Sequence, residues 1–268
     1  MSSKKHKSPP TSAEAARRLL ILKHVVVSAF AAPPRDVLRQ ATAQWSETEQ
    51  QRFRQRAVIE RDQFCQRLRE AGLWQHLSPL EQAYARSTLL TATEQQQLDA
   101  TWRLEAAQTL IWALGMLGQM PPYDTSADPD LLKQIPSAHA AAFVESARLR
   151  EQAEIERERD VAEFWHWRSR TRELIERGDP FPADEKMNAA GFHSFEDVVR
   201  FSAREGAKDG TIPACIDDDF PAKGKAYRDL SAEEWAEVRS ITMERHFALN
   251  WLCGYAPGNR WDDTPTDT

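Results

Sequence analysis

Glycine and cysteine are scarce in this chain, and acidic residues outnumber basic ones overall. Ten Gly in 268 residues include no G-x-S-x-G elbow, Walker loop or dinucleotide fingerprint, which removes the common phosphate-cradle chemistries. Three cysteines, Cys65, Cys215 and Cys253, are widely spaced, odd in number and lack a C-x-x-C pair. Neither a disulfide framework nor a zinc knuckle follows, and a cytoplasmic protein is expected. With 35 basic against 41 acidic residues, the net charge of -6 gives no chain-wide field to gather phosphates, so nucleic acid is not the expected partner. No segment approaches the ~18 apolar residues of a membrane span, so no membrane partner is expected either. H-E-x-x-H is missing, and "IDDDF" lacks the Gly and distal Glu of a calcium loop; no metal and no cofactor are expected.

What the chain does have is a helical composition. Apolar residues make up 41% and charged residues 28%, with nine Trp, a balance that supports a buried core in one large domain or two small ones. The Lys-rich start "MSSKKHK" reads as a solvated tail, so residues 1–10 are expected to be a disordered basic tail and 11–268 a single helical domain. "RRLLILKHVVVSAFAAPP" resembles a secretory leader, but Lys23 and His24 interrupt it. Thr11-x-x-Glu14 instead reads as a capping box opening an amphipathic helix.

The same signature recurs at Ser46-x-x-Glu49, with Gly72 as the stop, and at Ser78-Pro79 with Glu81. In "TEQQQLDATWRLEAAQTLIWALGMLG", Leu98, Trp102, Glu105, Thr109, Trp112 and Met116 share one helical face. The Pro- and Asp-rich stretch "MPPYDTSADPD" is the best boundary between possible lobes 11–120 and 131–268. A helical pattern resumes from Ser137 to Arg177, where dense charge in "RLREQAEIERERD" reads as a solvated face. In "EFWHWRSR", Phe164, Trp165 and Trp167 are expected to pack while His166 and Arg168 point elsewhere. Another helix is expected over "SFEDVVRFSAREGAKDG", and a short β-hairpin near residues 211–227. The predicted architecture is mainly α, a multi-helix bundle with a small β-hairpin in the C-terminal third.

Leu230-Ser231-x-x-Glu234-Trp235 opens a last helix reaching about Gly254. Its apolar stripe, Trp235, Val238, Ile241, Ala248, Leu249 and Leu252, carries Arg245 in its middle, with Glu244 and His246 about 100° to either side. A buried guanidinium cannot lose its proton, so it needs a carboxylate or several carbonyls. Glu105 is the matching buried acid on its own stripe, and a Glu105–Arg245 ion pair is expected. His246 shares a helix side with Thr242, Asn250 and Cys253. A hydrolytic alternative would bring His246 and Asn250 together with Asp262 and Asp263 beside the last helix. The acids Asp217, Asp218 and Asp219 could join Asp262, Asp263 and Asp267 in a magnesium site if the fold united them, although turn and cap roles are the simpler reading.

Three stretches, "WRLEAAQTLIWALGML", "ERHFALNWLCGY" and the closing "WDDTPTDT", together resemble a bacterial family known as domain of unknown function 4272, over most of the chain from about Ala13. The resemblance implies a helical, soluble bacterial protein and carries no reaction, cofactor or catalytic residue with it. The expected role is protein binding, as an immunity, adaptor or regulatory protein whose partner is another protein; the hydrolase is the alternative.

Overall fold

The computed structural model describes residues 9–136, 140–182 and 184–267. Residues 1–8 of the expected tail and residues 137–139 of the expected helical stretch lie outside the described residues; Pro10, just before the first helix, is buried.

Capping boxes place most of the long helices. At α1 (Ser12–Ala31), the Thr11 hydroxyl accepts from Glu14 N at 3.2 Å while Glu14 accepts from Thr11 N at 2.7 Å. The same reciprocal bonds open α3 (Glu47–Glu70) at Ser46, α4 (Pro79–Arg86) at Ser78, and α10 (Ala232–Leu252) at Ser231. Each satisfies two amides that the first helical turn leaves without partners. A fifth box, Thr93 with Gln96, opens α5 (Glu94–Ala113). The remaining helices are α2 (Arg35–Thr42), α6 (Ala140–Ser146), α7 (Gln152–Glu176), α8 (Glu185–Ala189) and α9 (Phe195–Lys208).

Packing runs in a row: α1 against α5, α5 against α10, and α10 against α7. A helix in the middle of such a row is covered on more than one side. Every residue from Leu104 to Ala113 of α5 and from Glu244 to Leu252 of α10 is accordingly buried, which widens the expected stripes to the whole circumference. The first turns of α5, residues 94–99, are exposed or half-buried, and Leu98, expected on the buried face, is 48% exposed. One core joins Leu20, Leu110, Ile155, Leu249 and Trp261, residues from both sides of the Pro- and Asp-rich stretch.

The expected hairpin narrows to Pro221–Ala222 paired antiparallel with Lys225–Ala226. Its two-residue turn has φ +50° at Lys223 and +75° at Gly224, the two positive values a twist-matched hairpin turn requires. A second tight turn precedes it. Asp217 and Asp218 take φ +47° and +61° while Ile216 and Asp219 exchange backbone hydrogen bonds at 3.1 and 2.9 Å, a conformation Asp tolerates better than most side chains.

Candidate functional site

Arg245 lies at the centre of the row. Its Nε donates to Glu105 Oε2 at 2.9 Å, Nη1 to the carbonyls of Pro121 and Pro122 at 2.8 and 2.9 Å, and Nη2 to Thr125 O at 2.7 Å. Nη2 also stands 2.9 Å from Glu105 Oε2, and both side chains are essentially without solvent contact. Four of the five guanidinium N–H groups thus donate to acceptors, and the fifth lies within ion-pair distance of the carboxylate. The other Glu105 oxygen accepts from Ala127 N at 2.7 Å, so the pair fastens the Pro- and Asp-rich stretch over itself. Tyr123 in that stretch stacks on Trp165 and donates to Glu158 Oε1 at 2.8 Å. Burial pushes the Tyr123 hydroxyl well above its usual range.

The side of α10 that carries His246 meets α7 through a polar seam. Arg159 Nε donates to Asn250 Oδ1 at 2.7 Å, which fixes the amide; Asn250 Nδ2 then faces His246 Nε2 at 2.9 Å and Pro265 O at 2.8 Å. An amide NH2 can only donate, so His246 Nε2 must be the acceptor and its proton must sit on Nδ1. That nitrogen donates in turn to His166 Nδ1, 3.0 Å away. One chain of bonds therefore fixes both tautomers and holds both rings neutral. Burial, with Arg239 and Arg170 nearby, lowers the His166 pKa to about 4; burial, with His166 and Arg159 nearby, lowers that of His246 to about 3. His246 has no solvent contact and His166 is 8% exposed. The expectation that His166 and Arg168 turn away from the core is corrected: α7 is covered by α10 on one side and by the turn carrying Asp219 on another, so both residues point inward.

Arg168 is held as firmly. Its Nε and Nη2 donate to the two oxygens of Asp219 at 2.7 and 2.8 Å, and that carboxylate also accepts from Phe220 N and Arg228 N. Asp218 pairs with Arg204, Asp262 accepts from Leu80 N at 2.9 Å at the start of α4, and Asp263 pairs with Arg260. The acidic residues of the last third thus serve separate turns and caps, and neither Asp262 nor Asp263 bonds to His246 or Asn250. Among the described residues, no group of three His, Cys, Asp or Glu is placed to hold a metal ion. Trp261 docks the C-terminal segment, edge-on to Phe247 and Trp251 at 4.8 and 5.2 Å.

Accessible concavities lie elsewhere. One, of about 340 Å³, separates α1 from α3 and is closed at one end by α4. Small side chains make it: Ala31, Ala57 and Ala92 line it where larger residues would fill the gap, beside Phe64 and Tyr84. Val27, on its wall, is 50% exposed. His24 and Arg67 stand at its edge, and burial together with the charges of Lys23 and Arg67 lowers the His24 pKa. A second cleft, of about 470 Å³, lies between α7 and α9.

A family model matches residues 1–187, well over half of the chain. The chain belongs to the family described as Domain of unknown function (DUF4272). No curated protein and no solved structure matches it. Of the three stretches that carry the resemblance, only the first, Trp102 to Leu117, falls within the DUF4272 match. That match holds Glu105, His166 and Arg168, whereas their partners Arg245, His246 and Asp219 all lie beyond it. Sequence reasoning passed over His166, Arg168 and Asp219 as partners. The signal for the first two was present, because Ala162, Trp165 and Ser169 mark a buried face at three- and four-residue steps and both residues adjoin it.

Proposed function

We propose that this protein is a protein-binding module and that the cleft between α1 and α3 receives an apolar segment of its partner. The observation that carries the reading is the state of the neighbouring arm. α2 buries none of its residues, although an isolated eight-residue helix is marginal in water. Val37 on α2 is 49% exposed, and Val27 on the cleft wall is 50% exposed. Apolar side chains left uncovered beside a concave floor of alanines are what a partner helix would bury. The bacterial, cytoplasmic setting and the immunity, adaptor or regulatory role belong to the same reading. His246, the centre of the hydrolytic alternative, is enclosed by its hydrogen-bond partners and lines neither large cleft, so the geometry supports that alternative less.

The test is capture of partners by the tagged full-length chain in three forms: wild type, Val27→Glu with Ala31→Glu, both on the cleft wall, and Glu233→Gln as a control on an exposed turn that lines neither cleft. The expected result is one stoichiometric partner held by wild type and control and lost from the double variant. A partner held equally by all three forms, or none with any form, refutes docking in this cleft.

A further inference from the structure

The second cleft has a different chemistry from the first. Its α7 wall presents Asp160, Glu163, Phe164 and Trp167, which fall at steps of three, one and three residues along one helical face. Its α9 wall presents Phe201, 54% exposed, with Glu205 and Asp209. Phe164 and Trp167 lie nearly parallel, 8° apart at 5.9 Å, and Phe220 backs Phe164 at 4.6 Å. Gly206 permits this arrangement, because a Cβ there would stand 2.6 Å from Phe164 Cε1. The floor is therefore aromatic and firmly held.

Its rim is negative beyond its own compensation. Arg159 alone serves both Asp160 and Glu163, and it is already bound to Asn250. Across the cleft, the exposed Lys208 donates to Glu205 at 3.1 Å, and both Glu205 and Asp209 raise its pKa. Two cations thus face four carboxylates. Helix stability does not explain the placement: Glu205 occupies the last turn of α9 and Asp209 its C-cap, where the helix dipole is negative and a carboxylate is unfavourable. Aromatic faces beside surplus carboxylates attract an organic cation, and a guanidinium satisfies both, stacking flat on a ring while its edge donates to carboxylates.

We infer that the cleft between α7 and α9 is the docking site for an arginine side chain on a partner protein. The cleft is open along its length, which suits a side chain delivered by a larger surface rather than a small molecule that must be enclosed. The protein source of the guanidinium rests on the protein-binding reading above; the chemistry of the cleft does not.

The experiment follows the indole N–H resonances of the full-length protein by NMR during titration with a blocked Gly-Arg-Gly-Arg-Gly peptide. Its citrulline and lysine counterparts and spermidine are the comparisons. The expected result is that the arginine peptide shifts the Trp167 indole, the neutral citrulline peptide does not, and added salt weakens the effect. Glu205→Gln with Asp209→Asn should bind the arginine peptide about tenfold less tightly, the sum of two surface charge contacts. The same variant should melt no lower than wild type, since relief of the dipole offsets the lost pairing with Lys208, so a loss of binding cannot be ascribed to unfolding. Equal binding by wild type and this variant, or equal shifts from the arginine and citrulline peptides, would overturn the site. A lysine peptide binding as tightly would overturn the guanidinium, and tighter binding of spermidine would overturn the protein source. None of these readouts involves the α1–α3 cleft, so the two readings fail separately.

Discussion

Lowering the pH from 7.5 to 5.0 should destabilise the protein through two histidines in particular. His166 and His246 are neutral in the folded state, with pKa values lowered to about 4 and about 3, the first cause in each case being burial. In the unfolded chain each returns to about 6.5. Between these values the unfolded state binds more protons, so stability is fully present above pH 6.5 and declines as pH falls toward the folded values. At pH 5.0 each unfolded imidazole is charged and each folded one is not, so each costs about 2 kcal/mol, 1.5 pH units at 1.36 kcal/mol per unit. The pair together costs about 4 kcal/mol, a large part of an ordinary domain's stability. The assay is urea unfolding at both pH values for wild type and for His166→Phe with His246→Leu. The variant starts less stable because Asn250 loses one of its two acceptors, but its further loss at pH 5.0 should be smaller by about 4 kcal/mol. The other histidines, His24 and His76 among them, whose pKa values burial also lowers, are common to both proteins and cancel. Equal pH dependence in the two proteins would refute the neutral, hydrogen-bonded pair.

Three further outcomes follow from the packing. Glu105→Gln or Arg245→Met alone should cost about 3–5 kcal/mol, because each leaves a buried charge without its partner; a double-mutant cycle by urea unfolding should show strong coupling, and a coupling energy near zero would contradict the pair. Residues 1–187 expressed alone, the part matched by the family model, should lack a cooperative thermal transition by circular dichroism, because Glu105, His166 and Arg168 lose their partners; a sharp transition would show that this part folds independently. Gly206→Ala should lower stability by about 1–3 kcal/mol as Phe164 is displaced, and an unchanged melting temperature would mean that the ring moves aside freely.

Much of the fold was legible because its signals are local. Thr11, Ser46, Ser78 and Ser231 each announce a helix with an acid three residues on, and the bonds they make need only their own turn. The pairing of Glu105 with Arg245 was anticipated by a different argument: a charge set in the middle of an apolar stripe requires an opposite one. That argument names a need and not a place, which is why Asp219 reads in the sequence as a turn acid although it is the partner of Arg168. The environment of His246 was hidden for the same reason, since His166 lies 80 residues away and the buried face it adjoins shows that it packs, not which residue it meets. α2 gave little signal because it is amphipathic yet buries nothing.

The stretch from Pro121 to Ala127 looked like the natural place to divide the chain, and its hydrogen bonds make it among the worst. Besides the four groups gathered around Arg245 and Glu105, Asp124 Oδ2 accepts from Lys223 N at 2.6 Å and Ser126 donates to Glu237 at 2.5 Å. The stretch is thus tied to α5, to α10 and to the hairpin at once. A break in the backbone here would uncover a buried guanidinium that cannot shed its proton, whereas a break in an ordinary surface loop would free only solvated chain. Proline and aspartate mark this stretch because it must turn repeatedly while aiming its carbonyls inward, so a composition that usually signals a joint here belongs to a clasp.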